Sequence, residues 1–199
     1  IKNNSSNENL EYNNENEIID NVENTDNNLF EILENTSNNK IYLTGTLNSQ
    51  LQLQQQLLAT AFPQDNSFII QMNTNLEDLW ALQALGNEQN EPLDIITLDE
   101  EIFVLLQING LVNIENQTLQ ARPYTNSALI RISEGGQINN IQSIYNVNGP
   151  IYSESKIILY NNILRFGGTF TQNWVGNTFN LSNNSSFDGF IGSLSVNTG

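Results

Sequence analysis

The chain contains no cysteine and no histidine, and its 199 residues include only six lysines and arginines. Without these residues a Ser-His or Cys-His nucleophilic pair cannot be built, and thiolate metal sites are excluded. Phosphate recognition usually relies on cations or a glycine-rich cradle, and neither G-x-x-x-x-G-K-[ST] nor G-x-G-x-x-G occurs. We therefore expect a protein that is not an enzyme and that uses no cofactor.

Positive charge is scarce, and the formal net charge of the whole chain is −16. Most of the negative charge lies in the first half of the chain. Residues 1–34 carry nine acids against Lys2, and residues 41–101 carry nine acids and no base. Phosphates and anionic lipid surfaces repel such segments, so we expect no nucleic-acid partner. The longest apolar run, 102–106, is far shorter than the ~18 residues of a spanning helix, so we expect no membrane insertion.

Amide side chains are abundant: 36 Asn and 15 Gln, about a quarter of the chain. They donate and accept hydrogen bonds without carrying charge, which suits wide, wet contacts between subunits. Together with the missing Cys and His and the rare Lys, this composition favours an extracellular protein or one on a cell or particle surface. The chain opens at Ile1 without an apolar signal segment and without Met, as expected of a processed product.

Seven Asn-x-Ser/Thr sequons occur, and about five are expected by chance from this composition. The sequence therefore permits N-glycosylation without indicating it. The acceptor positions are Asn3, Asn4, Asn35, Asn116, Asn180, Asn183 and Asn184.

We divide the chain into an acidic, Asn-rich N-terminal arm, residues 1–34, and a β domain, residues 35–199. Most of the arm is too polar to bury enough apolar surface to fold alone. It nevertheless contains two apolar islands long enough to add a strand to a neighbouring subunit. The candidate contact residues are Ile18, Ile19, Val22, Leu29, Phe30, Ile32 and Leu33. The alternative is that the arm is only a solvated linker.

The strongest helical signal lies near residues 75–85. Thr74 and Glu77 have the spacing of a capping box, good helix formers follow, and Gly86 provides a C-terminal stop. The sequence predicts a helix of about three turns there. For residues 50–62, which mix strand alternation with helix formers, it leaves the type open.

After Pro92 the pattern changes to short β-rich runs separated by turn residues. Asn109-Gly110 predicts a hairpin between 105–108 and 111–114, and Gly135-Gly136, Gly167-Gly168 and Asp188-Gly189 predict further turns. The spacing predicts a mainly antiparallel β-sandwich or jelly roll with one short helix. A β-solenoid is the alternative, although no fixed repeat period is present.

Three places in the sequence suggest chemistry, and each has a simpler structural explanation. The carboxylates of Asp94, Asp99, Glu100 and Glu101 are a weak candidate Ca²⁺ site or glycosidase acid pair, but they lack spaced ligand positions and fit a solvated turn. Lys156, with Glu154, is a candidate amine nucleophile or crosslinking residue, or an ordinary outward-facing lysine. Trp174, flanked by Asn173 and Asn177, suits sugar stacking, or is a core aromatic.

The function most consistent with these observations is a non-enzymatic structural subunit of an extracellular filament or surface assembly. It would form a homo-oligomer or polymer through its N-terminal arm by strand addition between subunits. The alternatives are a viral capsid or decoration protein with a jelly-roll fold and a carbohydrate-binding adhesin module, for which a glycan is the partner.

Overall fold

Antiparallel strands make up nearly all of the structure. The computed structural model describes residues 28–35, 39–48, 50–54, 56–59, 66–120, 126–144, 156–160, 163–170, 174–175, 180–182 and 188–195. The strands are β1 Asn28–Asn35, β2 Lys40–Leu47, β3 Gln50–Gln52, β4 Leu57–Ala59, β5 Asn66–Asn73, β6 Asp78–Gly86, β7 Glu91–Leu98, β8 Glu101–Ile108, β9 Leu111–Ile114, β10 Gln117–Gln120, β11 Asn126–Ser133, β12 Ile138–Ile144, β13 Lys156–Tyr160, β14 Ile163–Phe170, β15 Trp174–Val175, β16 Asn180–Leu181 and β17 Asp188–Ser195. Within these residues there is no helix with the length and apolarity that crossing a membrane requires.

Three sheets are stacked. The large sheet has the order β1-β2-β5-β6-β9-β10, the middle sheet β12-β11-β8-β7, and the outer sheet β13-β14-β17. Two short hairpins, β3–β4 and β15–β16, complete the described part. All recorded strand pairs are antiparallel, which confirms the expected antiparallel sandwich and excludes a solenoid for these residues.

The main core lies between the large and middle sheets. Strand β8 shows why: its apolar run is buried on both faces, as expected of a central strand. Val104 and Leu106 face the large sheet, while Phe103 and Leu105 face the outer sheet. The residues of the main core are Tyr42, Ile69, Leu82, Ala84, Ile95, Ile102, Val104, Leu106, Ile108, Val112, Ile114, Ala128, Ile130 and Ile132.

Both sheets also bury part of their second face. On the large sheet, Leu43 and Phe68 pack under Leu51 and Leu58 of the β3–β4 hairpin. Within residues 50–62, whose type the sequence left open, residues 50–52 and 57–59 are paired strands that cover β2 and β5. On the middle sheet, a separate cluster that includes Leu129 joins the outer sheet.

The predicted helix near 75–85 is wrong, since residues 78–86 form strand β6. Alternation places Trp80, Leu82 and Ala84 against the main core, and β6 forms ladders with β5 and β9. Helix propensity is worth only tenths of a kcal/mol per residue, so burial and pairing prevail. The cap residues form a turn instead: the side-chain oxygen of Asn73 accepts hydrogen bonds from the backbone N–H groups of Asn75, at 2.9 Å, and Glu77, at 3.0 Å.

Three of the turn predictions were wrong about how the strands are connected. Asn109-Gly110 does not close a hairpin, because β8 pairs with β7 and β11 while β9 pairs with β6 and β10. The chain crosses there from the middle sheet to the large sheet. Gly167-Gly168 and Asp188-Gly189 are also not turns, since they lie within β14 and β17, which pair with each other as neighbouring strands.

Amide side chains connect this crossing to a neighbouring one, in which the chain passes from β6 in the large sheet to β7 in the middle sheet. Asn90 is fully buried; its Oδ1 accepts from the Asn109 N–H at 3.3 Å, and its Nδ2 donates to the Glu88 carbonyl at 3.0 Å. The Oδ1 of Asn87 accepts from the Leu111 N–H at 2.9 Å. These contacts satisfy backbone groups that no strand ladder reaches. We call this cluster of Asn87, Asn90 and Asn109 the amide corner.

Candidate assembly surface

The end of the predicted arm is an edge strand of its own chain. Strand β1, which contains the second apolar island, pairs along its length with β2. Residues 41–47 of β2 are buried, so β1 closes the open edge of a strand that belongs to the interior. The candidate contact residues Leu29, Phe30, Ile32 and Leu33 lie on this strand. The first island, Ile18, Ile19 and Val22, lies outside the described residues.

The outer sheet is anchored to the domain through its inner side. Ile157 and Leu164 are buried against the middle sheet. Phe166 and Phe190 meet edge to face, with ring centroids 6.0 Å apart. Gly192 lies under the Phe166 ring, where a Cβ would approach within 2.4 Å. A side chain at that point would collide with the Phe166 ring, so glycine lets this ring lie against the backbone of β17.

A buried carboxylate ties the outer sheet to the edge of the middle sheet. The Asp94 side chain, in a residue only 7% exposed, accepts a hydrogen bond from the Ile157 N–H at 2.7 Å. Its other oxygen lies 3.7 Å from the Lys156 Nζ, which also donates to the Leu93 carbonyl at 3.4 Å. Asp94 is therefore occupied with joining β7 to β13.

The opposite side of the outer sheet carries four exposed large apolar side chains among polar ones. We call it the outer face, and it contains Ile158, Tyr160, Ile163, Arg165, Gly167 and Ile191. Cross-strand register places these residues on one side of the three strands. Ile191 is 86% exposed, and Ile158 and Tyr160 are each more than half exposed. Large apolar side chains grouped on an exposed sheet face mark an interaction site more often than a free surface.

Charge on the outer face has the opposite sign to that of the whole chain. Elsewhere the described cations contact acids: Lys40 pairs with Glu134, and Arg131 approaches Glu101 at 2.6 Å. Arg165 instead lies over the Tyr160 ring, 5.7 Å from its centroid. Arg165 is exposed on this face, and it forms no ion pair with the other described residues.

The four candidate calcium ligands are not brought together. Asp94 joins two sheets, Asp99 and Glu100 occupy the turn between β7 and β8, and the Glu101 carboxylate contacts Arg131 and, at 3.1 Å, Asn139. In the described part of the chain, no cluster of three or more potential metal ligands occurs. These side chains have different neighbours because Asp94 lies within β7, Asp99 and Glu100 lie in the turn, and Glu101 begins β8.

The remaining candidates are only partly placed. The side chains of Trp174 and Asn180, and all of Asn173, Asn177, Glu154, Asn183 and Asn184, lie outside the described positions, as do Asn3 and Asn4. Asn35 ends β1. Asn116 is exposed in the turn between β9 and β10 and is sterically open to modification. The sequence analysis did not predict the outer face, although the unbroken apolar run 157–160 was a signal that both faces of that strand are apolar.

No protein-family model matches the chain. No curated protein matches it in sequence either.

Proposed function

We propose that this protein is a non-enzymatic structural subunit of an extracellular filament or surface assembly, and that it polymerises through its N-terminal arm. The supporting observation is strand β1, in which the end of the arm is anchored on the buried strand β2. Twenty-seven residues precede it. A subunit whose arm begins from a fixed edge strand can present the rest of that arm to a neighbour.

Head-to-tail contact explains how such a subunit builds an extended assembly. An arm and its acceptor are different surfaces, so their contact is heterologous and continues without limit unless the rotation happens to close a ring. The composition agrees with a structural role, since the chain lacks the His and Cys on which much catalysis depends. The sandwich fold also suits the alternative function, a capsid or decoration protein, for which the expected assembly is a closed shell.

The experiment compares the full chain with two truncations, lacking residues 1–27 and 1–34. Negative-stain microscopy and sedimentation velocity report assembly, and far-ultraviolet circular dichroism reports folding. We expect the full chain to form filaments and the 1–27 deletion to remain a folded monomer. The 1–34 deletion also removes almost all of β1, so it should lose stability because the edge of β2 is uncovered. Equal assembly of the full chain and the 1–27 deletion would contradict the proposal, and a shell would favour the capsid function.

A further inference from the structure

The outer face has a gap at Gly167 that suits a side chain inserted by a partner. Gly167 is the central member of a cross-strand row, between Lys156 and Ile191. Because Gly167 has no side chain, Ile191 has no cross-strand neighbour to cover it on β14. The next row pairs Ile158 with Arg165, and the one after pairs Tyr160 with Ile163. The absence of a side chain at Gly167 therefore leaves a gap beside Ile191, one row away from Arg165.

The electrostatics of the face restrict its partner. Among the described residues, the outward positions of the three strands contain no Asp or Glu; their cations are Arg165 and Lys156, and Lys156 already lies 3.7 Å from the Asp94 carboxylate. A second copy of the same face, packed by two-fold symmetry, would bring two Arg165 side chains into one interface without an acid from either face to offset them. The face therefore favours an acidic partner that also supplies apolar side chains.

The first 27 residues of this chain have that chemistry. They contain seven acids against Lys2 and carry the apolar residues Ile18, Ile19 and Val22. Acids flank these residues, as in Glu17-Ile18-Ile19-Asp20, so an extended segment can place a carboxylate near Arg165 and an aliphatic group near Ile191. In the remainder of the chain, residues 41–101 are as acidic, but they are built mostly into the large and middle sheets.

We propose that the outer face is the acceptor site for residues 1–27 of a second copy. This inference rests on the proposed function and names the surface that the arm binds. An extended segment of this length reaches about 90 Å, so it spans the distance to a neighbouring subunit. The arm starts from the large sheet, and the middle sheet separates that layer from the outer sheet. Binding to another copy therefore joins opposite sides of successive subunits and extends the assembly in one direction.

The test uses full-length variants. Ile158→Thr combined with Ile191→Thr removes apolar contact while keeping β-branched residues on the strands. Leu57→Thr is the matched control, since Leu57 is 52% exposed but lies on the β3–β4 hairpin, on the far side of the large sheet. We expect the double variant to raise the protein concentration required for assembly at least roughly tenfold, and the control to leave it unchanged.

Arg165→Gln tests the charge contribution separately. Added salt screens ion pairs but not apolar contact, so assembly of the unmodified chain should weaken as salt increases, and Arg165→Gln should flatten that dependence. A synthetic peptide of residues 1–27 should compete with the arms and shorten the filaments. The same peptide with every Asp and Glu replaced by its amide should compete less well.

The outcomes separate this inference from the proposed function. If the full chain stays monomeric at every concentration, the proposed function fails, and the inference fails with it. If the full chain assembles but both outer-face variants assemble at the same concentration and salt dependence, the arm binds elsewhere and only the acceptor assignment is overturned. A binding of the arm to its own subunit would also overturn it, and would appear as monomers whose outer-face amides are protected from hydrogen exchange.

Discussion

The main core and the outer face show that apolar residues on β-strands can be either buried or exposed. Between the large and middle sheets, side chains such as Val104 and Ile130 are completely buried and neighbouring backbone crossings are closed by amides. On the outer face, equally apolar side chains such as Ile158 and Ile191 remain exposed. The comparison teaches that strand alternation alone does not identify the core, because an apolar position is buried only if another layer covers it.

The largest expected effect is the difference in stability between a variant of the main core and a variant of the outer face. Leu106→Ala in the main core should lower the free energy of unfolding by about 2–5 kcal/mol, since it leaves a cavity between two sheets. Ile191→Ala on the outer face should change it by less than about 0.5 kcal/mol. Urea denaturation of dilute, monomeric protein measures both. A comparable loss in the two variants would show that the outer face is covered in solution.

A smaller effect is expected at the join between the regions. Asp94→Ala removes the acceptor of the Ile157 N–H and should cost about 1–3 kcal/mol because a buried donor is left unpaired. The loss should be concentrated in the outer sheet. Hydrogen exchange resolved by residue should speed up for β13 and β14 more than for β8. Uniform acceleration across all three strands would instead mean that the sheets unfold as one unit.

The amide corner provides a prediction of similar or smaller size within the sandwich. Asn90→Ala removes the acceptor for the Asn109 N–H and should cost about 1 kcal/mol. Asn116→Ala, at an exposed turn, is the control and should be nearly neutral. Thermal unfolding compares the two. If both variants melt at the same temperature, the amides at the crossing are replaceable by water.

The smallest expected effect depends on pH. Burial raises the pKa of Glu91, at the start of β7, above its usual 4.5. The folded state then binds protons more tightly than the unfolded state, so this group costs stability as the pH rises through its raised pKa. Glu91→Gln should therefore raise the melting temperature at neutral pH and lose that advantage near pH 4. If the gain in melting temperature from Glu91→Gln became larger as the pH fell, the direction of the pKa shift would be contradicted.

Much of the β architecture followed from local sequence signals, and the errors came from long-range competition. The strands near 94–98, 102–108 and 128–133 were predictable because β-branched and aliphatic runs stand between turn residues. The helix near 75–85 was wrong because its formers also alternate, and only tertiary burial decides between the two patterns.

The outer face could not be predicted for a related reason. Ile158 and Ile191 are far apart in sequence and are brought onto one face only by their shared partner β14. Which apolar positions remain uncovered depends on how many layers the sheets form, and a single sequence does not state that number.

The most direct test mixes two variants that cannot assemble alone. One lacks residues 1–27 and keeps the outer face. The other keeps the arm and carries Ile158→Thr, Arg165→Gln and Ile191→Thr. Sedimentation velocity of the mixture should show a one-to-one complex, because each variant supplies the surface that the other lacks. Two unchanged monomers in the mixture would contradict the account that the arm of one copy binds the outer face of another.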